Sequence, residues 1–510
     1  MSRREKVGTA YSGRGISRRQ FLGTTGLGIG ALLLGGCGSL TSPGARERGN
    51  RTTGENRVRE FALAAAPLEF ELAGRTAPTW GYGGGMPGPE IRLKEGETLR
   101  VRLSNNLPES TSVHWHGLPI VNEMDGVPGV TQKPVKPGEE FVYEFAVPVS
   151  GTYMYHSHSG LQLDRGLYGP LIVEPKNETL AYDREFTLVL DDWLDGVEGT
   201  PEESLQRLKS GGGAMAGMGD MDSDDSGMGG MGGMKGMGGG EPAQTPPDIV
   251  YPLYLVNGKP PEAPEEFGVR RGEKVRLRLI NPSSASIYRV ALAGHRMTVV
   301  HADGLPVEPV EVDTLRIGMG ERYDVLVDTN NPGVWQLAAQ AEGTQKMARA
   351  IFRYEGTGSP TPPADQQPSE LKGALLSYDM LRATPEAGDI PSGDPGRVER
   401  LVLEGDEERY TWTINGQTFD KADRIKIGRD ERVRFEYRNM SMMPHPMHLH
   451  GHSFRVDNGM GQGPIKDTVL VEPMQTVSTD WVANNPGPWA LHCHHAYHQE
   501  AGMMRVVEVA

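Results

Sequence analysis

The sequence predicts an all-β protein of three Greek-key β-sandwich domains, and a recurring pattern together with chain length carries that prediction. The pattern reads Gly96-Glu97-Thr98-Leu99-Arg100-Val101-Arg102-Leu103-Ser104-Asn105 in its first copy. It returns as Gly272-Glu273-Lys274-Val275-Arg276-Leu277-Arg278-Leu279-Ile280-Asn281, and more loosely as Asp430-Glu431-Arg432-Val433-Arg434-Phe435-Glu436-Tyr437-Arg438-Asn439. Each copy is a turn followed by apolar/polar alternation, the signature of a half-buried strand. The copies lie roughly 160–175 residues apart, about one sandwich each. At 510 residues the chain is long enough for two to four domains with full cores. A formal charge of −15 argues against a nucleic-acid partner and suits small cations. Two cysteines cannot build a disulfide framework.

In chain order, the N-terminus reads Ser17-Arg18-Arg19-Gln20-Phe21-Leu22, followed by a glycine-rich, mildly apolar run to Leu34. A twin-arginine pair before such a run resembles a Tat export signal. The run is too short and glycine-rich for a membrane span. It ends Leu34-Gly35-Gly36-Cys37, which resembles a bacterial lipobox whose cysteine is lipidated after cleavage. Residues 1–37 are thus expected to be a signal and 38–57 a flexible tether. The three sandwiches are expected at 58–180, 181–360 and 361–510, with an insertion at 205–246 in the middle one. That insertion holds Met215, Met218, Met221, Met228, Met231, Met234 and Met237 among glycines and a few aspartates. From 211 to 241 it has no aromatic or β-branched side chain, so it cannot build a core.

The chemistry sits in four histidine groups. Three are His114-Trp115-His116, His156-Ser157-His158 and His445-Pro446-Met447-His448-Leu449-His450. In each His-x-His pair the spacing of two puts both imidazoles on one face of a strand. The fourth is His492-Cys493-His494-His495-Ala496-Tyr497-His498-Gln499-Glu500-Ala501-Gly502-Met503. Its thiol, imidazole and thioether are the ligand types of a blue-copper site, His₂Cys with a weak axial Met. In an extended segment Cys493 faces one metal while His492 and His494 face another. His445, three before His448, points the other way and supplies the second imidazole for the Cys493 metal. The count closes at His445, Cys493, His498 and Met503 for one site and eight histidines in four pairs for a cluster.

These four motifs, in this order, resemble the multicopper oxidases over almost the whole chain after the leader. The resemblance implies cupredoxin-like sandwiches and four copper ions. Type 1 copper would sit on His445, Cys493, His498 and Met503, and type 2 on His114 and His448. The type 3 pair would sit on His116, His156, His158, His450, His492 and His494, where O₂ is reduced to water. Because the first and third sandwiches carry all these ligands, the cluster is expected between them. The middle sandwich is expected as a spacer and a possible wall of the substrate site. His295, His301, His452 and His495 are expected to be structural or surface residues.

The resemblance also assigns supporting residues. Asp125, in Met124-Asp125-Gly126-Val127-Pro128, matches the family's proton-relay acid. A second relay acid often follows the type 1 histidine, where this chain has Gln499; either Asp125 with waters suffices or Glu500 serves instead. Met443, two before His445, and Glu500, two after His498, match positions that help hold substrate copper in bacterial cuprous oxidases. The acid expected four before the first histidine is Ser441 here. An axial Met503 implies a low to moderate potential, suited to Cu(I). The methionine-rich insertion, whose thioethers are soft ligands for Cu(I), points the same way. The expected activity is therefore Cu(I) oxidation outside the cytoplasm, in a periplasmic or cell-surface protein held by a lipid on Cys37. A laccase-like oxidase of phenols, Fe(II) or Mn(II) is the rival activity, and a copper-sequestering protein the rival class.

The leader makes a prediction of its own. Cys37→Ala should move the mature protein from the membrane fraction to the soluble one, and replacing Arg18 and Arg19 by Lys should block export. Fractionation that shows equal solubility with and without Cys37 would mark the lipobox as incidental.

Overall fold

A computed structural model describes residues 57–211, 247–358, 360–388, 390 and 394–510. The leader with Arg18, Arg19 and Cys37, the tether apart from Arg57, and Met215 to Met237 of the insertion lie outside the described residues. Six sheets form three sandwiches in chain order. The first pairs two four-stranded sheets, and the second and third each pair a six-stranded with a five-stranded sheet. Within all three the repeated segment forms a strand: Thr98–Asn105, Lys274–Ile280 and Arg432–Asn439. Each runs parallel to its sandwich's opening strand, Val58–Leu72, Arg184–Trp193 or Arg397–Asp406. Among the described residues no helix is long and apolar enough to cross a membrane.

The first and third copies alternate between buried and more exposed residues, as half-buried strands do. Strand Lys274–Ile280 does not, because Arg276 and Arg278 are also buried. Its outer face is covered by the first sandwich. There the Arg278 guanidinium donates to Thr152 Oγ1 at 2.8 Å, and the Thr152 hydroxyl donates to Asp324 Oδ1 at 2.7 Å. Arg276 Nε adds a bond to Asp324 Oδ2 at 3.1 Å. Alternation was lost where an expected solvent face became a domain interface.

The insertion expected from residue 205 opens on ordered structure. Helix Pro201–Lys209 starts at a capping box in which the Thr200 side chain and Glu203 each satisfy the other's backbone N–H. Its Leu205 and Leu208 are buried in the core shared by the middle and third sandwiches. The composition that signals an insertion begins only after this helix.

Asp324 gives the fold a pH dependence with a definite sign. Burial alone would raise its carboxyl pKa, but Arg276 and Arg278 override that and hold it below the usual carboxylate value. A depressed folded pKa stabilises above the unfolded value of about 4, and that contribution is lost as pH falls through the folded one. Asp324→Asn should cost about 2–4 kcal/mol near neutrality, because two buried guanidinium groups lose their shared carboxylate and keep only Glu178 and Glu185. In thermal melts the gap between parent and variant should narrow below about pH 4. A gap that is constant with pH would refute this account.

Candidate metal centres

Strand register places the two ligand sets on opposite faces. Strand His445–Leu449 pairs antiparallel with strand Gly487–Cys493, setting Met447 opposite Cys493 and His448 opposite His492. With a period of two, His445 and Cys493 share one face while His448 and His492 share the other. In the first sandwich the strand His114–His116 pairs with Gly151–His156, so that His114 lies opposite His156.

On the first face, Cys493 Sγ lies 3.6 Å from His445 Nδ1 and 3.7 Å from His498 Nδ1, and the two nitrogens are 3.2 Å apart. Metal bonds of about 2.0–2.3 Å set ligand separations of roughly 3.3–3.9 Å, so this triangle fits one ion. All three residues are fully buried. Met503 is buried too, and its carbonyl accepts from Cys493 N at 3.0 Å while its N–H donates to His498 O at 2.9 Å. The turn from His498 therefore brings Met503 back onto Cys493.

Each imidazole of this site is oriented by its far nitrogen. His445 Nε2 meets Ser441 Oγ at 2.8 Å, and Ser441 Oγ in turn donates to Asn439 Oδ1 at 2.8 Å. A hydroxyl thus orients His445 from the position where an acid was expected. His498 Nε2 lies 3.3 Å from Asp248 Oδ2. The same carboxylate accepts from His495 Nε2 at 3.1 Å and from the Tyr410 hydroxyl. His495 stacks on His498 with ring centroids 3.7 Å apart and planes within 6°, and Trp412 packs on the His498 ring at 3.9 Å. Burial, and then the neighbouring His498, hold His445 well below the ordinary histidine range. Burial and His495 bring His498 to about 3. Both rings are neutral and free to coordinate.

On the second face lie the eight paired histidines, every one of them buried. His158 Nε2 and His450 Nε2 lie 3.4 and 3.0 Å from His492 Nε2, a second ligand triangle. His114 stacks on His450 and His116 on His448, each pair with centroids 3.8 Å apart. Most of the rings spend Nδ1 on an acceptor. His114 donates to Asp125 O at 2.8 Å, His156 to Ser157 O at 2.8 Å, His448 to Asp467 O at 2.8 Å and His492 to Cys493 O at 3.0 Å. His450 Nδ1 donates to the Asp125 carboxylate at 3.0 Å. His116 is reversed: its Nε2 donates to Asp467 Oδ1 at 3.0 Å. The nitrogens left without a hydrogen-bond partner are Nε2 of His114, His156 and His448, Nδ1 of His116, and both of His494. Orphaned buried imidazole nitrogens facing one another are costly without a metal and are what one requires. The residues fit copper.

The supporting candidates separate. Met443 lines a cleft with Met319, Pro444, Glu342, Glu472 and His495. Glu500 is exposed in another cleft, which includes Gln499 and reaches His158 of the cluster. Asp125 is buried against His114 and His450. Sequence reading did not find Asp248, Trp412, Asp467 or Met319. His495, expected to be a structural or surface residue, is buried and shares Asp248 with His498. Its place inside the Cys493 motif was the one available signal.

Comparison with known proteins agrees with this geometry. Three family models, each described as multicopper oxidase, match residues 66–178, 184–357 and 394–510. The chain is 39% identical over 507 residues to the multicopper oxidase MmcO of Mycobacterium tuberculosis, covering 97% of both chains. It is 30% identical over 556 residues to a copper resistance protein A homolog of Pseudomonas syringae pv. tomato, covering 88% of this chain and 92% of the relative. Among solved structures it resembles a laccase from Botrytis aclada, with TM-score 0.71, 25% identity and 88% and 87% of the two chains covered. The chain belongs to the multicopper oxidases, copper-dependent oxidoreductases that pass electrons from a reductant such as Cu(I) to O₂.

Cys493→Ser should remove the intense thiolate-to-copper absorption in the visible range and the oxidase activity with it. Elemental analysis should still find copper at the histidine cluster, whose eight side chains are untouched. An unchanged blue colour would overturn the assignment of Cys493.

Proposed function

We propose that this enzyme oxidises Cu(I) to Cu(II) in copper tolerance, and the observation that carries the reading is the cleft beside His495. Its cavity volume is ≈ 50 Å³, below the several hundred of a typical organic-ligand pocket. Two of its lining side chains, Met319 and Met443, are thioethers, which prefer Cu(I), while its Glu342 and Glu472 carboxylates are paired with Arg316 in the same cleft. The names of the copper resistance relatives support the same substrate.

Four coppers are assigned: one on His445, Cys493, His498 and Met503, one on His114 and His448, and two on the remaining six histidines. When bound, copper accepts electrons one at a time at the Cys493 site and reduces O₂ to water at the cluster. The protein supplies the route between them. Cys493 is joined by backbone to His492 and His494, and the His492 Nδ1–H bond to Cys493 O adds a second link. Four Cu(I) give four electrons, and O₂ with four protons becomes two waters. Asp125 holds His114 and His450 and is the acid we assign to supply those protons; Glu500 and Gln499 line the cleft that leads towards His158. The methionines between 215 and 237 collect Cu(I) for this site, and export with a lipid on Cys37 places the reaction outside the cytoplasm.

The test is O₂ uptake by the copper-loaded enzyme with Cu(I), Fe(II) and a phenol under one set of conditions. Cu(I) should give the highest kcat/KM. Met319→Leu and Met443→Leu should each raise KM for Cu(I) by about tenfold, equivalent to about 1.4 kcal/mol of lost binding, and leave phenol oxidation unchanged. Equal losses on both substrates would favour the laccase reading, and binding of Cu(I) without turnover would favour sequestration.

A further inference from the structure

We propose that the middle sandwich, which supplies none of the assigned ligands, positions the trinuclear histidines through Arg322 and Gly320. The inference rests on the reading of the eight histidines as one copper cluster and goes beyond it by adding two positioning residues from a third domain.

Arg322 is fully buried where the three sandwiches meet. Its fork donates to Asp467 Oδ1 at 2.8 Å and Oδ2 at 2.6 Å in the third sandwich, and its Nε donates to Thr152 O at 3.1 Å in the first. In its own sandwich, Nη1 also donates to Gly320 O at 2.8 Å, and its backbone N–H donates to Asp303. A bidentate guanidinium–carboxylate pair fixes both the position and the plane of the carboxylate. Asp467 then holds two rings at once. Its carboxylate accepts from His116 Nε2, and its carbonyl accepts from His448 Nδ1. The first bond is what turns His116 to present Nδ1 rather than Nε2. Arg322 therefore acts on one ring from the first sandwich and one from the third through a single intermediary. Gly117, just after His116, packs against the same pair: a Cβ there would lie 2.5 Å from both Arg322 Nη2 and Asp467 Oδ2.

Gly320 reaches the site directly. It lies in the turn between strands Thr314–Ile317 and Arg322–Asp328, at φ +86°, where side chains are disfavoured. A Cβ at this position would meet His494 Cδ2 at 2.9 Å and His116 Cε1 at 3.2 Å. The turn is thus a wall against two histidines from different sandwiches, close enough that one methyl group would displace them.

The experiment compares Arg322→Gln, Arg322→Lys and Gly320→Ala with the parent as full, copper-loaded chains. Copper per chain is measured after a chelator challenge, with blue absorption as internal reference and thermal melts of the metal-free forms alongside. Arg322→Gln and Gly320→Ala should release cluster copper at about 10–100-fold lower chelator concentration, with blue absorption per chain retained. Arg322→Lys keeps the charge but not the fork and should fall between. Cluster retention equal to the parent's in Gly320→Ala or in folded Arg322→Gln overturns the proposal. So does loss of blue absorption in step with cluster copper, which marks general unfolding. Gly320→Ala decides the matter if Arg322→Gln does not fold. A parent chain that holds only the blue copper would instead refute the eight-histidine reading itself.

Discussion

Side chains on a β-strand alternate, and this one constraint organises the protein. At His492-Cys493-His494 it sends the thiol to one side and both imidazoles to the other, so a single strand serves two sites. The neighbouring strand His445–Leu449 obeys the same rule in register. The consequence is a short covalent path between sites of different chemistry that no loop rearrangement can lengthen. The sandwiches around it hold that strand pair rigid and bring the remaining histidines up to it.

Burial sets the second condition. Dehydration, followed by repulsion between neighbouring rings, pushes His116, His156, His158, His450, His492 and His494 well below the ordinary histidine range. Buried carbonyls and carboxylates take one nitrogen of most rings, leaving the other turned inward. The cluster is therefore preorganised by hydrogen bonds that belong to the protein alone. Asp125 and Asp467 are its two anchoring carboxylates, and each serves rings from two sandwiches.

Much of this was legible in the sequence because it is written in local spacing. The three repeats became equivalent strands, and the His-x-His pairs came together as strand geometry requires. What could not be read depends on contacts between distant segments. Asp248 stands 250 positions before His498 and carries no motif. Ser441 looked like a missing acid, yet its hydroxyl orients His445. The middle sandwich reads as a spacer and a possible wall of the substrate site, with no sign of Gly320 and Arg322, because these are not ligand types. Their effect exists only once three sandwiches are packed, and local periodicity carries no trace of that. Met443 and Glu500, each two residues from a ligand of the Cys493 site but in different motifs, line different clefts.

The distance along the chain between cluster residues also governs biosynthesis. His114 and His158 emerge early, while His492 and His494 lie within the last twenty residues. A nascent chain held on the ribosome has half a binding site and no Cys493. Coordination by the complete set must wait for docking of the third sandwich against the first, a slow, non-local event. A chain lacking the segment from His492 onward therefore has no way to assemble the centre, however well its first sandwich folds.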